Sequence, residues 1–269
     1  DDFCGGGAYV NGDDPQFSDM VFEAGDLPEF AQEPTGAWSQ AWVSSAGGGV
    51  CALSSAATFD DVVFASNYAD SGGGLYVGSS STVTMVHGWF DDNSASDGAG
   101  ITTDASDLSV TNTVIACNTA TVDGGGVFAD TSGSVDFTNI VMAMNTAGTA
   151  STNGSQTYTG SSVTIRLWNM VAQASTTSPM FYNQGTGSIG YSDSYNAGGG
   201  GTTQGAWGAT SISSAGSQYT NISCDGNWQN DDASLVAGAS VIDAGDPSIL
   251  DGDGSRSDEG AYGGPEGTW

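Results

Sequence analysis

Apolar and polar positions recur with a fixed period through the middle of the chain. Glycine triplets, one of which has a central alanine, are each followed by an aliphatic residue, and they begin at Gly47, Gly72, Gly98 and Gly124. Each repeat that a triplet opens ends at an asparagine, three positions after an apolar residue. These asparagines are Asn67, Asn93, Asn118 and Asn145. The triplets start 25, 26 and 26 residues apart and the asparagines 26, 25 and 27. Two independent markers therefore report one repeat.

The residues inside each repeat favour strands. Val83–Val86, Leu108–Thr111 and Val135–Thr138 are short, β-rich runs that alternate in part between apolar and polar residues. No window shows apolar residues sustained at a spacing of three and four together with helix-forming residues. A period of this length is typical of a solenoid, whose units bury their apolar faces only by stacking on their neighbours. The sequence therefore predicts an all-β parallel β-helix with about 26 residues per coil.

Stacking assigns a role to each repeated column. Equivalent residues of successive coils lie about 4.8 Å apart, as between neighbouring strands. We expect Asn67, Asn93, Asn118 and Asn145 to form a ladder of amides at a bend. The aliphatic residue after each triplet and the column of Phe64, Phe90, Ile115 and Met142 are expected to point inward.

Two stretches resemble known families. The pairing of Gly-Gly-x-aliphatic with Phe-x-x-Asn-x-Ala, as in Phe64 to Ala69, resembles the repeat of the chlamydial polymorphic outer-membrane proteins, which are extracellular right-handed β-helices. Residues 191–196, 241–247 and 251–264 together are similar to the closing segment of secreted bacterial right-handed β-helix proteins, including those described as choice-of-anchor proteins. The resemblance implies a right-handed coil and secretion. It does not fix an activity, because this fold hosts lyases, hydrolases, adhesins and structural proteins.

The chain divides into three parts. Residues 1–46 lack the repeat and carry several aromatic residues, so we expect a cap over the first coil or, alternatively, a segment that docks on another subunit. Residues 47–240 are predicted to form the β-helix, and residues 241–269 a C-terminal cap with an acidic loop.

The charge excludes several partners. Thirty-one acidic residues against two basic ones give a net charge of −29. Such a surface repels nucleic acid, anionic membranes and polyanionic sugars that lack a metal bridge. No apolar run reaches the length of a membrane span. The chain begins at Asp1 without methionine, which we interpret as a mature, secreted, extracellular or cell-surface product.

Four cysteines are too scattered for a zinc knuckle and even in number, so up to two disulfides are expected outside the cell. They are Cys4, Cys51, Cys117 and Cys224. Three pairings are open. Joining Cys4 to Cys51 would fix the N-terminal segment to the first coil.

The sequence offers few catalytic candidates. His87 is the single histidine, and it falls in register with Asn112 and Asn139, which favours a structural role. Paired carboxylates are the remaining enzymatic idea, since glycosidases use two of them. The pairs are Asp60-Asp61, Asp91-Asp92 and Asp231-Asp232. In so acidic a chain they are typical of solvated surface, and we assign no catalytic residue.

A calcium site is predicted near the C-terminus. Oxygen donors alternate with glycines there, as in a loop that wraps a hard cation. The predicted ligands are Asp251, Asp253, Ser255, Asp258 and Glu259. The alternative is that these acids only hold the terminal cap, through turns and a pair with Arg256.

The leading hypothesis is a non-catalytic extracellular structural protein of a microbial surface, which self-assembles through its coil ends into a filament or coat. The alternative is an adhesin that binds surface glycans through polar loops and exposed aromatic residues, and the third hypothesis is a carbohydrate-active enzyme. An aromatic groove beside converging carboxylates would favour the enzyme. Isolated aromatic residues near the termini would favour assembly.

Overall fold

The computed structural model describes residues 4–12, 14–23, 44–148, 153–174, 179–196, 203–213 and 217–269. In chain order its strands are β1 Ala8–Asn11, β2 Gln16–Glu23, β3 Ser44–Ala46, β4 Val50–Leu53, β5 Thr58–Ala65, β6 Ala69–Ser71, β7 Leu75–Gly78, β8 Thr82–Asp91, β9 Ser94–Ala95, β10 Ile101–Asp104, β11 Asp107–Ala116, β12 Thr119–Ala120, β13 Val127–Asp130, β14 Gly133–Ala143, β15 Thr157–Thr159, β16 Val163–Ala174, β17 Phe181–Asn196, β18 Thr203–Ser213, β19 Tyr219–Asn221 and β20 Asp232–Leu235. A short 3-10 helix spans Trp228–Asn230.

The strands form the walls of a parallel β-helix. One wall, which we call the short-strand face, is a parallel stack of short strands. In order these are β1, β4, β7, β10, β13 and β15, and the last of them pairs with the first residues of β17. Long strands β2, β5, β8, β11, β14 and β16 stack in the same way against the rest of β17, and we call this wall the long-strand face. Two very short pairs, β3 with β6 and β9 with β12, form the third side.

The pairing register confirms the predicted fold. Val50 lies beside Leu75, Leu75 beside Ile101 and Ile101 beside Val127, so each coil places the same repeat position in the same column. Because the residue after each glycine triplet always points inward, these four side chains are fully buried. Identical register in every coil is what a sequence repeat of constant length produces.

The interior is a continuous apolar column. Phe64, Phe90, Ile115 and Met142 are completely buried, and the ring of Phe64 stacks on that of Phe90 with centroids 4.5 Å apart. Each such side chain contributes about 1.5–3 kcal/mol relative to an exposed position. The stack therefore locks successive coils together from the inside.

The glycine triplets sit where two backbones approach closely. A Cβ added to Gly73 would lie 2.5 Å from the carbonyl oxygen of Ala99 and 2.7 Å from that of Ser94. Gly72, which begins the same triplet, has a φ of +66°, a conformation that favours glycine. The triplet is thus required for the coil to turn this corner.

A second bend divides the long-strand face. His87, Asn112, Asn139 and Asn169 are in register in β8, β11, β14 and β16, and each has a φ between +48° and +56°. Polar side chains of this kind tolerate the left-handed conformation through local hydrogen bonds. The bend therefore splits each long strand into two halves that face different directions.

The N-terminal segment differs from its prediction as a cap. β1 pairs with β4 and β2 with β5, so residues 8–23 form one further coil of the β-helix. Phe22 continues the inward column and stacks on Phe64 at 5.3 Å. The triplet Gly5-Gly6-Gly7 opens this coil, but a long insertion separates it from the next triplet and hides the period. The aromatic residues Phe30, Trp38 and Trp42 lie outside the described residues.

Residues 217–269, which we call the flank segment, lie along the long-strand face. Val114, Val141 and Val171 of the β-helix pack there against Tyr219 and Ala261 of the flank segment, forming a second apolar cluster. The C-terminal part of this segment was predicted to cap the end of the coil. Its described contacts are instead with the side of the coil, because the outward positions beyond the bend are apolar.

Candidate functional site

The repeated asparagines lie in one continuous hydrogen-bonded column. The Nδ2 of Asn67 donates to the Oδ1 of Asn93 at 3.0 Å, Asn93 donates to Asn118 at 2.9 Å, and Asn118 donates to Asn145 at 2.9 Å. Each Oδ1 also accepts the backbone N–H of the preceding asparagine. The column continues from Asn145 to Gln156, whose Oε1 accepts at 2.6 Å. These residues serve the scaffold, since their amides bind one another and the backbone of neighbouring coils.

Both cysteine pairs join separate layers. Cys4 is bonded to Cys51, which links the first coil to the second. Cys117 is bonded to Cys224, with Cα atoms 5.2 Å apart, which fixes residues 217–235, here called the flank hairpin, to the end of β11. In the described residues no cysteine is free.

The predicted calcium loop is only partly assembled. Carboxylate oxygens of Asp243, Asp251 and Asp258 lie within 4.8 Å of one another. Asp253 instead accepts hydrogen bonds from the backbone and hydroxyl groups of Ser255, at 2.9 and 2.6 Å. Burial raises the pKa of Asp251 and of Asp258. An all-oxygen donor set of this kind suits a hard cation. Asp243 was not in the predicted set because it precedes the loop in sequence.

Glu259, the remaining predicted ligand, turns away from this cluster. It is buried, and burial, together with the negative charge of Asp193 on β17, raises its pKa to about 8 despite the opposing charge of Arg256. Arg256 donates hydrogen bonds to the carbonyl oxygens of Gly245 and Ala244. The arginine therefore holds the backbone of the loop together.

His87 and its register partners fasten the flank segment. The Nδ1 of His87 lies 2.9 Å from Asp60, its Nε2 lies 3.0 Å from the carbonyl oxygen of Glu266, and its ring packs 5.3 Å from that of Trp269. Asn112 donates to the carbonyl oxygens of Ala261 and Gly263. The side chains at the second bend of the long strands, including His87, therefore anchor the flank segment to the β-helix.

The predicted carboxylate pairs lie in different surroundings. Asp91 is only 2 % exposed, and burial followed by the charges of Asp231, Asp92 and Asp225 raises its pKa to about 7. The flank hairpin thereby brings Asp231, from one predicted pair, close to Asp91 and Asp92 of another. Asp60 is exposed and engaged by His87. Because the flank hairpin covers Asp91, a substrate has no access to its carboxyl group in this arrangement.

A row of half-buried aromatic rings crosses the short-strand face. Phe128 on β13 stacks on Tyr158 of β15 with ring centroids 5.1 Å apart, and Tyr158 stacks on Tyr182 of β17 at 5.5 Å. The exposed Gln184 donates from its Nε2 to the hydroxyl oxygens of both tyrosines, at 3.2 and 3.4 Å. We call Phe128, Tyr158 and Tyr182 the aromatic row.

Carboxylates adjoin this row at the corner of the coil. The Oδ1 of Asp97 accepts the backbone N–H of Asp123 at 3.2 Å. Burial and then Asp97 raise the pKa of Asp123 to about 6. Burial is also the main cause of a raised pKa at Tyr158, with further contributions from Asp123 and Asp130. Asp97 and Asp123 are here called the corner acids. A Cβ on Gly98, the residue after Asp97, would lie 2.9 Å from the Cβ of Phe128, so this corner adjoins the first ring of the row.

Neither the aromatic row nor the corner acids were predicted from the sequence. A signal for the acids exists, because Asp97 and Asp123 each precede the first glycine of a triplet and therefore share a column. The row has a weaker signal. Phe128 follows Val127 in the repeat, but an insertion before β15 separates Tyr158 from it by more than one standard coil.

Comparisons with known proteins identify the architecture. The family described as right handed beta helix region matches residues 4–169, which is more than half of the chain. The match begins within the first coil and ends in β16. No curated protein and no solved structure matches the chain. Among the described residues, no helix is long and apolar enough to cross a membrane.

Proposed function

The chain belongs to the family of right-handed β-helix regions, and on that premise we propose that it is a non-catalytic extracellular protein whose short-strand face binds glycan chains. The observation that carries this proposal is the aromatic row beside the corner acids. Proteins recognise small polar ligands by combining apolar and aromatic surface with a few placed polar groups. The aromatic row and the adjoining corner acids supply the aromatic surface and the polar groups on one face of the β-helix.

The geometry of the row suits an elongated ligand. Phe128, Tyr158 and Tyr182 belong to three successive strands of the face, so the row runs parallel to the helix axis. The tyrosine hydroxyl groups and the Gln184 amide offer hydrogen bonds, while the half-buried rings offer apolar surface for contact with a sugar. A glycan chain would lie along the axis and contact more than one coil.

Charge narrows the class of glycan. The corner acids lie beside the row, and the whole chain has a net charge of −29. Uronate or sulfate groups would be repelled from this surface unless a metal ion bridged them. Neutral or amine-bearing sugars are therefore the expected ligands, and carboxylates accept hydrogen bonds well from both hydroxyl and ammonium groups.

Two features support an extracellular, non-catalytic role. Both disulfides are typical of an oxidising compartment. Of the acids considered for catalysis, Asp91 is covered and Asp60 is paired with His87, while the Oδ1 of Asp231 accepts from the backbone N–H of Ser223 at 2.7 Å. A general acid or base must lie within hydrogen-bond reach of its substrate.

The test is a binding screen of the whole protein, with disulfides intact, on arrays of neutral, amine-bearing and uronate-bearing oligosaccharides. Hits are quantified by calorimetry with Tyr158→Ala and Tyr182→Ala, and with Tyr195→Ala as the control because it removes an exposed tyrosine from the same strand as Tyr182. We expect each variant of the row to weaken binding at least about tenfold, a loss of 1.4 kcal/mol. Equal affinity in all proteins would refute the site.

The same samples test whether the protein is an enzyme. Products are followed by mass spectrometry after long incubation with each bound oligosaccharide. Unchanged oligosaccharides agree with the proposal. Cleavage that disappears in Asp123→Asn would instead make the corner acids a hydrolytic pair, since a carboxyl group with a raised pKa can serve as the general acid of such enzymes.

Self-assembly is a second candidate function, favoured by the strand edges of the first coil. β1 and β2 are the end strands of the large sheet within the described residues, and Met20 and Val21 of β2 are exposed apolar side chains. Free strand edges pair readily with another chain. Electron microscopy of the purified protein would show ordered filaments if copies join at this coil, and uniform short rods if they do not.

Calcium binding remains a proposal for the acidic loop. Asp243, Asp251 and Asp258 would hold the ion, and calorimetry with calcium alone measures it. We expect Asp251→Asn to abolish the heat of binding and Asp70→Asn, which removes an exposed acid elsewhere, to leave it unchanged. No heat with the unaltered protein would refute the site.

A further inference from the structure

A buried carboxyl group beneath the flank hairpin has one oxygen that lacks a hydrogen-bond partner among the described residues. Asp91 is the last residue of β8 and is 2 % exposed. Within the described residues its Oδ1 has no partner and no contact with solvent. Leaving a buried polar atom unpaired is costly, and the cost rises steeply when the group is ionised. The position therefore calls for an explanation.

Acids approach Asp91 from both sides of the junction. Asp92 follows it on the coil, and Asp225 and Asp231 of the flank hairpin add further negative charge. The position of a Cβ on Gly226 lies 3.4 Å from the Oδ2 of Asp92, so the tip of the flank hairpin sits directly over this pair. Among the described residues, the charges that act on Asp91 are all negative.

The hairpin is attached beside this point. Asp91 pairs with Ala116 on β11, and the next residue, Cys117, carries the disulfide to Cys224. Seating of the hairpin also buries Tyr219 and Ile222 against the apolar outer side of the long-strand face. Burial of apolar groups favours the seated state, whereas the four carboxyl groups oppose it once all of them are ionised.

We propose that the flank hairpin is a pH-sensitive latch, seated on the β-helix when Asp91 carries a proton and loosened when Asp91 ionises. The disulfide keeps the loosened hairpin tethered, so that opening is local and reversible. Opening exposes the apolar outer side of β8 and β11, including Trp89 and Val114. The latch does not depend on the proposed glycan site, which lies on the other wall.

The direction of the pH dependence follows from proton linkage. Burial and then Asp231, Asp92 and Asp225 raise the pKa of Asp91 to about 7 in the seated state. A solvated aspartate titrates near pH 4. Between these values the seated state holds a proton that the open state has lost, so the opening equilibrium rises about tenfold per pH unit and levels off above about pH 7. The latch is therefore tightest in acid.

The test is hydrogen exchange with mass spectrometry on the whole protein, disulfides intact, at pH 5.5 and pH 7.5. Rates for the amides of residues 219–235 are corrected for intrinsic exchange, and the amides of β14 serve as an internal reference for the stability of the coil. We expect at least tenfold more opening at pH 7.5 in the unaltered protein. In Asp91→Asn, whose amide stays neutral, opening should not change with pH.

Two further variants keep the result decisive. Asp232→Asn removes an exposed acid from the same hairpin and should behave like the unaltered protein. Asp231→Asn removes the leading like charge that faces Asp91 and should move the midpoint to lower pH, a shift that is measurable even if Asp91→Asn fails to fold. Equal opening at both pH values in the unaltered protein, or a pH dependence that persists in Asp91→Asn, would overturn the latch.

Discussion

Replacing Asn118 by alanine interrupts the asparagine column at its centre. Asn118 is fully buried, and its Oδ1 accepts from the backbone N–H of Asn93 at 3.1 Å and from the Asn93 Nδ2 at 2.9 Å. Its own Nδ2 donates to Asn145 and to the carbonyl oxygen of Phe90. Alanine therefore removes both acceptor contacts to Asn93 and leaves two donors of Asn93 without their partner inside the coil.

The magnitude follows from these two donors. A buried donor or acceptor that loses its partner costs about 1–3 kcal/mol, so Asn118→Ala should lower the free energy of unfolding by about 2–6 kcal/mol. Because each coil contacts only its neighbours, the loss should be concentrated in the coils that contain Asn93 and Asn145. Hydrogen exchange of those strands would locate it.

The assay is urea unfolding followed by circular dichroism, with the disulfides intact. Asn11→Ala is the matched control, since Asn11 is exposed and surface substitutions of this kind change stability by about 0.5 kcal/mol or less. A loss below about 1 kcal/mol for Asn118→Ala would refute the reasoning, because it would mean that water or a shifted backbone satisfies the column.

Two further predictions concern the covalent and steric supports of the coil. Removing the disulfide by Cys117→Ser together with Cys224→Ser opens a link across 107 residues and should lower stability by about 4–5 kcal/mol on the chain-entropy account; an unchanged unfolding midpoint would contradict it. Gly73→Ala places a Cβ 2.5 Å from a backbone carbonyl oxygen of the next coil and should cost about 1–3 kcal/mol in thermal unfolding. Gly252→Ala serves as its control, because the nearest atom to a Cβ there is the carbonyl oxygen of Pro265 at 4.0 Å, and equal melting temperatures would refute the steric argument.

The coil itself could be predicted because it repeats. A parallel β-helix places Phe64 and Phe90, or Asn67 and Asn93, in the same surroundings one coil apart, so identical requirements recur at constant spacing. Such a pattern is visible in one sequence without any relative. It defines columns, and the structure shows what each column contacts.

Features that occur once could not be predicted in this way. The first coil was missed because an insertion after β2 displaces its triplet at Gly5 from the period. The cluster of Asp91 with Asp231 depends on how the flank hairpin folds back, which no periodic signal records. The aromatic row was missed for a related reason, since Tyr158 follows a longer coil than Phe128 does.

The most direct test of the central claim is a crystal structure of the protein with the tightest-binding oligosaccharide from the array. The account predicts sugar density along the short-strand face, in contact with Tyr158 and Tyr182 and within hydrogen-bond distance of a corner acid, with the glycosidic bonds intact. Sugar bound only elsewhere on the molecule, or a cleaved oligosaccharide at this face, would contradict it.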